Sequence, residues 1–288
     1  MIGSPPMCTR LPDSEILQLS GADAVPFAQA QFMNNATALA DSGWHWNGWL
    51  NAKGRLVAFF ALVRADAQTL LLWLPAGGAA ALASSLQRFV FRAKVRLDAT
   101  SSWQAAGCFT PPPAGTGDIV IDLPGEDAGS RRYLWLHQSG SGPGIDESKA
   151  SRWRLADLRI GVPYISPGQP GSEQFVPQWL SLDRLHAFDL KKGCYPGQEI
   201  VARMHYLGQS KRAAFVLSGP GEPPPAMTRV TGDGDTAAGE IVWAIGDSEG
   251  WHALAVMSKE RTEGPLRLAT GVAVQIDTSQ PDLRPADA

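Results

Sequence analysis

Cysteine is scarce in this chain: three residues in 288, Cys8, Cys108 and Cys194, with no CxxC pair. An odd number at wide spacing points away from a disulfide framework and from a closed structural zinc site. Three reduced thiols are expected, which suits the cytoplasm. No run of 18 apolar residues occurs, and "LVAFFALV" has the length of a buried strand and not of a membrane span. The opening "MIGSPPMCTRLPD" has no apolar h-region, so a secretory leader is not expected. A large charge of one sign is also missing. At net charge −3, overall charge does not favour non-specific nucleic-acid binding, which leaves a local basic patch open. Tyrosine is sparse, at four against ten tryptophans, and the tryptophans read as core filling.

What is present is a globular composition. Hydrophobic residues make up 44% and charged residues 18%, enough for a sizeable core over two domains, or three small ones. Asp23 to Leu39 reads as a short helix. A strand begins at Trp44 to Trp49, "NAKGR" turns, and strands follow at Leu56–Val63 and Thr69–Leu74. "AAALASSLQRFVF" is a helix after Gly77 and Gly78, and "KVRLDAT" a strand. "TPPPAGTGD" is a loop, "RRYLWLHQ" a strand, and from Ser151 a helix runs towards Gly161 and Pro163. After Arg212 the texture changes to short apolar strands between Pro/Gly turns. There Glu240–Ile245 and Trp251–Met257 form a hairpin across "GDSEG". The pattern is α+β followed by small all-β, with a boundary near Gly208 to Arg212 and a loose tail.

The segment "KKGCYPGQEIVAR", Lys191 to Arg203, sets Cys194 among cations: Lys191, Lys192, Arg203, Lys211 and Arg212 lie nearby, against Glu199. Such surroundings favour the thiolate, the reactive species, and a helix beginning at Ile200 would act in the same sense. Gly193 and Gly197 permit tight turns and close approach of a ligand. Gln198 and Glu199 offer paired hydrogen bonds to a polar heterocycle, and the cations attract an anionic tail. The plain alternative is a surface turn with an inert, buried cysteine, since free cysteine usually behaves as a small hydrophobe. From residue types alone both readings stand.

Other clusters carry less. His186 and His205 flank the motif, but no cysteine-protease signature surrounds Cys194. Asp183, Asp189 and Glu199 match no metal-site spacing and read as a solvated face, and "TGDGD" lacks a calcium ligand series, so no metal site is expected. Arg88, Arg92, Lys94 and Arg96 read as a charged helix edge running into an edge strand. Their alternative is a docking surface for an acidic partner or for the anionic tail of a ligand.

The cysteine segment closely resembles the signature of the YgfZ family, folate-binding relatives of the glycine-cleavage aminomethyltransferase (T-protein, GcvT). Lys192, Gly193, Cys194, Tyr195, Gly197, Gln198 and Glu199 match in fixed register, and Arg203 continues the match. Three further stretches resemble the family in order: Asn51, Lys53 and Gly54 in "LNAKGRLVAFF", Trp153, Gly161 and Pro163 in "WRLADLRIGVPYI", and Phe175, Pro177 and Gln178 in "EQFVPQ". "LQRFVFRAKVRL" resembles the family's helix-then-strand.

The resemblance implies an α+β, GcvT-like fold: a folate-binding region of two α+β lobes over 1–208, a C-terminal β-barrel domain over 209–278 and a flexible tail over 279–288, arranged around a central hole. It implies tetrahydrofolate or a derivative as cofactor, Cys194 as the functional thiol, and Asn51, Lys53, Lys192, Gly193, Tyr195, Gly197, Gln198, Glu199 and Arg203 around the ligand, with Arg203 anchoring the loop. The implied role is an accessory protein for assembly or repair of iron–sulfur enzymes. Its partners would be folate and iron–sulfur assembly or client proteins, with neither nucleic acid nor membrane. Cys194 would act in cluster handling, in a redox step or in a folate adduct. The alternative is a tetrahydrofolate-dependent aminomethyl- or methyltransferase. Against it, the positions where T-protein carries a pair of aspartates are here Ala58 and Phe59, which supply no acid or base.

Overall fold

The computed structural model describes residues 7–100, 102–125, 129–138, 140, 142–208, 210–262 and 264–277. The expected tail, 279–288, lies outside the described residues. The chain forms two compact units, one within Met1–Ala28, Ala36–His45 and Phe60–Ala156, the other within Gln29–Asn35, Trp46–Phe59 and Asp157–Ala288.

The first part of the chain runs β1 (Cys8–Arg10), β2 (Glu15–Ser20), α1 (Ala24–Gln31), β3 (Trp44–Leu50), β4 (Leu56–Asp66), β5 (Thr69–Leu74), α2 (Ala79–Val90) and β6 (Arg96–Asp98). Five of these strands make a sheet in the order β3-β4-β5-β2-β6. Leu56 to Val63 is buried on both faces, which is why its sequence is apolar without alternation. β2 goes beyond the sequence reading. It is short and only partly apolar, yet it lies between β5 and β6 with Leu17 and Leu19 fully buried. α2 buries Ala79, Leu82 and Leu86, one face at helical spacing, and Glu15 accepts the Ala79 N–H at 2.7 Å at its start.

β7 (Trp103–Cys108), β8 (Ile119–Pro124) and β9 (Arg131–Gln138) join β1 in a second sheet, ordered β1-β7-β9-β8. α3 (Glu147–Arg159) begins four residues before Ser151, capped by Asp146, whose Oδ1 accepts the Lys149 N–H at 3.1 Å. Trp153 of α3 packs flat on Gly107, where a Cβ would fall 2.4 Å from the indole, and the buried Arg132 guanidinium sits 4.3 Å from its ring centroid.

This sheet overturns the expectation of three reduced thiols. β1 pairs antiparallel with β7 so that Cys8 stands opposite Cys108, and the two are joined in a disulfide. Both sulfurs lie in a small apolar cluster with Ala106 and Trp135. The pairing was hidden because its partners lie 100 residues apart, and one of them sits on a strand of only three residues.

Beyond α4 (Gln198–Leu207), six strands close into a barrel: β10 (Arg212–Gly219), β11 (Arg229–Thr231), β12 (Ala237–Gly246), β13 (Trp251–Ser258), β14 (Leu266–Leu268) and β15 (Ala273–Ile276). The expected hairpin is β12 on β13, with Gly246 opposite Trp251. Its interior is filled by Ala213, Phe215, Leu217, Ile241, Trp251 and their neighbours. On another face Trp243 donates its indole N–H to the Val162 carbonyl at 3.0 Å and stacks on Tyr164. The mixture of sheets, helices and a closed barrel agrees with the expected fold class. Among the described residues, no helix is long and apolar enough to cross a membrane.

Candidate functional site

The turn between β3 and β4 is built by Asn51. Its Oδ1 accepts the backbone N–H of Lys53 at 2.9 Å and of Arg55 at 3.1 Å, and its Nδ2 donates to Glu173 at 2.9 Å. Gly54 closes the turn at φ +68°. Both ends of the Asn51 amide are thus engaged in shaping the turn, while the Lys53 side chain is exposed.

Against this turn lies the cysteine loop. A Cβ on Gly54 would fall 2.7 Å from the Ile200 Cβ, and one on Gly197 would fall 2.6 Å from the Asn51 carbonyl oxygen. Two backbones can approach this closely only without side chains. Gly197, at φ +78°, precedes α4, which begins at Gln198, two residues before Ile200. The "FVPQ" stretch joins the same junction. The Phe175 carbonyl accepts the Leu56 N–H at 2.8 Å, and Gln178 Nε2 donates to the Val201 carbonyl at 2.8 Å. Three of the stretches that carry the family resemblance therefore converge on one place.

Lys192 is the buried member of the motif, 9% exposed. Its ammonium donates to the carbonyls of Gln29 and Phe32 at the C-terminal end of α1, and Gln29 Nε2 returns a hydrogen bond of 2.9 Å to the Lys192 carbonyl. Burial lowers its pKa to about 8, opposed by the nearby Asp189. Lys192 thus ties the loop to the end of a helix, where a cation is favoured. Arg203, expected to anchor the loop, is exposed and has no carboxylate partner among the described residues, so the anchor is Lys192. The Tyr195 ring lies 4.9 Å from the Lys192 ammonium, and burial pushes its hydroxyl pKa up.

Cys194 is the free cysteine and it is exposed. Gly193 before it has φ +98°, with open space where its Cβ would be. Gln198 is half-buried and Glu199 exposed, and neither side chain has a hydrogen-bond partner among the described residues. His186 turns its backbone carbonyl to Asn34, and His205 stacks edge-on with Tyr206. No group of three or more His, Cys, Asp or Glu suited to a metal ion occurs among the described residues.

Asn34 and Asn47 are functional candidates that sequence reading does not pick out. Asn47 is fully buried, and its Oδ1 accepts the N–H groups of Asn34 and Gly48. Asn34 Nδ2 donates to the Trp46 carbonyl at 2.9 Å and the His186 carbonyl at 2.6 Å, clamping β3 to the stretch before the cysteine loop. The available signals were an asparagine pair inside apolar "FMNNATAL" for Asn34 and a lone amide inside "WHWNGWL" for Asn47.

The wall formed by the start of β4 is apolar. Ala58 and Phe59 are fully buried, and Phe59 stacks on Trp46 at 5.2 Å. On the segments just described, three buried polar atoms lack a protein partner: Tyr195 Oη, Gln178 Oε1 and Asn47 Nδ2. Unmet buried groups of this kind cost about 1–3 kcal/mol each. They offer both donor and acceptor capacity, the mixture that the edges of a pterin require, while exposed Lys53, Lys191 and Arg203 suit an anionic tail. The residues present fit a folate.

Comparison with known proteins follows the same line. The tRNA-modifying protein YgfZ of Colwellia psychrerythraea is 26% identical over 82% of this chain and 83% of its own length. The YgfZ protein of Aliivibrio fischeri is 25% identical over 86% and 83%. The chain is similar to the YgfZ proteins over most of its length. The aminomethyltransferase T of the glycine cleavage system from Bartonella henselae superposes with a TM-score of 0.69, covering 96% of this chain and 86% of the enzyme, at 12% identity. The chain thus shares the aminomethyltransferase fold. No family model matches it.

Proposed function

We infer that the chain is a tetrahydrofolate-binding accessory protein of the YgfZ type, supporting assembly or repair of iron–sulfur enzymes through Cys194. The observation that carries this reading is the junction of the Asn51 turn and the Cys194 loop, where an exposed thiol precedes Tyr195, whose buried hydroxyl lacks a partner. Tetrahydrofolate, when bound, supplies a one-carbon carrier. Tyr195, Gln178 and Asn47 orient the heterocycle, with Gln198 and Glu199 at the mouth and Lys53 and Arg203 facing its anionic tail. Lys192 holds the loop so that Cys194 stays outward. With Cys8 and Cys108 joined, Cys194 is the one thiol left, so any cluster it handles is shared with a partner. The relatives are named tRNA-modifying proteins, which makes tRNA modification the first process to assay.

A cytoplasmic location belongs to this proposal. The Cys8–Cys108 disulfide opposes it, because such bonds are rare in that compartment. A transferase is the second reading, and the buried Ala58 and Phe59 oppose it, since neither supplies a carboxylate. Turnover of an aminomethyl or methyl donor with tetrahydrofolate would revive it.

Two measurements test the leading reading. Calorimetry with tetrahydrofolate and its polyglutamates should show binding, and none would reduce the protein to a scaffold. In cells lacking the native protein, Cys194→Ala should fail to restore iron–sulfur enzyme activity. Full restoration would remove the thiol from the mechanism.

A further inference from the structure

The end of α2 and the chain leading into β6 carry a surface that the folate reading leaves unused. Arg88, Phe89, Phe91, Arg92, Lys94 and Arg96 are all exposed. Phe91 is 87% exposed, at φ +26°, a backbone region where a bulky residue is rare. The Arg88 guanidinium lies 4.9 Å from the Phe89 ring centroid and that of Arg92 lies 5.2 Å from Phe91. Lys94 and Arg96 alternate in exposure with Val95 and Leu97, so they project to one side, about 6.6 Å apart along extended chain.

Little neutralises these cations. Arg96 meets Asp98 at 3.3 Å, and the same carboxylate also binds Thr100. Asp23 accepts the Lys94 backbone N–H at 2.7 Å. Arg88, Arg92 and the Lys94 ammonium have no carboxylate partner among the described residues. Guarding an edge strand accounts for Lys94 and Arg96, since β6 ends its sheet. It does not account for two exposed phenylalanines, each with a guanidinium laid beside it.

We propose that this strip binds single-stranded nucleic acid, with bases stacking on Phe91 and Phe89 and phosphates meeting the four cations. Flat rings interleaved with guanidinium groups match a polymer that repeats a planar base and a phosphate, and such stacking tolerates any base. An acidic protein face would satisfy the charges but would leave the rings without a pocket. The net charge of −3 does not oppose the contact, because charges beyond about 10 Å are largely screened in salt. The proposal reverses the expectation of no nucleic-acid partner, which averaged charge over the whole chain. It stands apart from the folate reading, so Cys194→Ala keeps the binding.

Anisotropy of a fluorescein-labelled uridine 12-mer, titrated with the full chain at 50 and 200 mM salt, tests it. Binding should weaken with salt, and Phe91→Ala should weaken it about 5- to 150-fold with an unchanged melting temperature. Arg92→Gln and Lys94→Gln should each reduce the log–log salt slope by about 0.7. No salt-sensitive binding, or a Phe91→Ala variant that binds like wild type, overturns the proposal. Polyglutamate that displaces the 12-mer equally well from wild type and Phe91→Ala also overturns it, in favour of an acidic protein partner.

Discussion

Gly54 and Gly197 touch backbone to backbone. A Cβ on Gly197 would lie 2.7 Å from the Gly54 Cα, and both residues adopt positive φ. The first-half turn and the cysteine loop, far apart in sequence, are held at a separation that one methyl group would break. Gly197→Ala should therefore cost about 2–4 kcal/mol, from overpacking together with backbone strain. Urea unfolding measures the loss. A variant as stable as wild type would mean that the two loops separate without penalty.

Lys192→Met leaves the Gln29 and Phe32 carbonyls without their donor, a loss of about 1–3 kcal/mol, but also removes the cost of burying the ammonium, so the net change at pH 7 should be smaller than that loss. The effect should also depend on pH. Lys192 titrates at about 8 in the fold and near 10.4 when unfolded. Between those values the unfolded chain binds more protons, so wild-type stability rises with pH relative to the variant, by at most about 1.4 kcal/mol per pH unit. Well below pH 8 both states are charged and the difference is flat. Unfolding of both proteins from pH 6 to 10 checks this, and a constant difference would place Lys192 with ordinary solvated lysines.

Cys194→Ala should leave stability within about 0.5 kcal/mol of wild type, because the side chain is exposed. Loss of function in this variant would then report chemistry, with the melting temperature as the control.

Without reductant, iodoacetamide should label Cys194 alone in the folded chain, and after reduction and unfolding it should label all three cysteines. Cys108→Ser should lower stability by about 2–5 kcal/mol, since the bridge closes a long loop. Mass spectrometry of protein quenched by acid inside cells decides whether the bridge exists in the compartment where the protein works.

Long apolar strands were legible because burial on both faces writes them plainly: Leu56–Val63 and Thr69–Leu74 read correctly from their residues alone. The strand read at "KVRLDAT" is there as β6, but three-residue β1 carries no such mark, and it brought the disulfide with it. At the site, the identity of the motif was readable but the duties of its members were not. Lys192 looked like a ligand contact, yet its partners lie 160 residues away or more, at the end of α1. Asn51 likewise turned out to shape its own turn. A side chain's duty depends on what the fold sets opposite it, and short-range pattern does not encode that.

β4 is one unbroken strand whose first four residues, Leu56 to Phe59, belong to one compact unit and whose remainder belongs to the other. Each unit is thus stitched from three separate stretches of chain, and no single cut frees either one from chain that belongs to the other. A fragment ending at Ala156 would hold every stretch of the first unit but would strand Gln29–Asn35 and Trp46–Phe59 without the rest of theirs, so its apolar Trp46–Phe59 segment should be exposed and the fragment should aggregate. On the ribosome, the unit holding Trp46 to Phe59 is completed only once the chain beyond Asp157 has emerged.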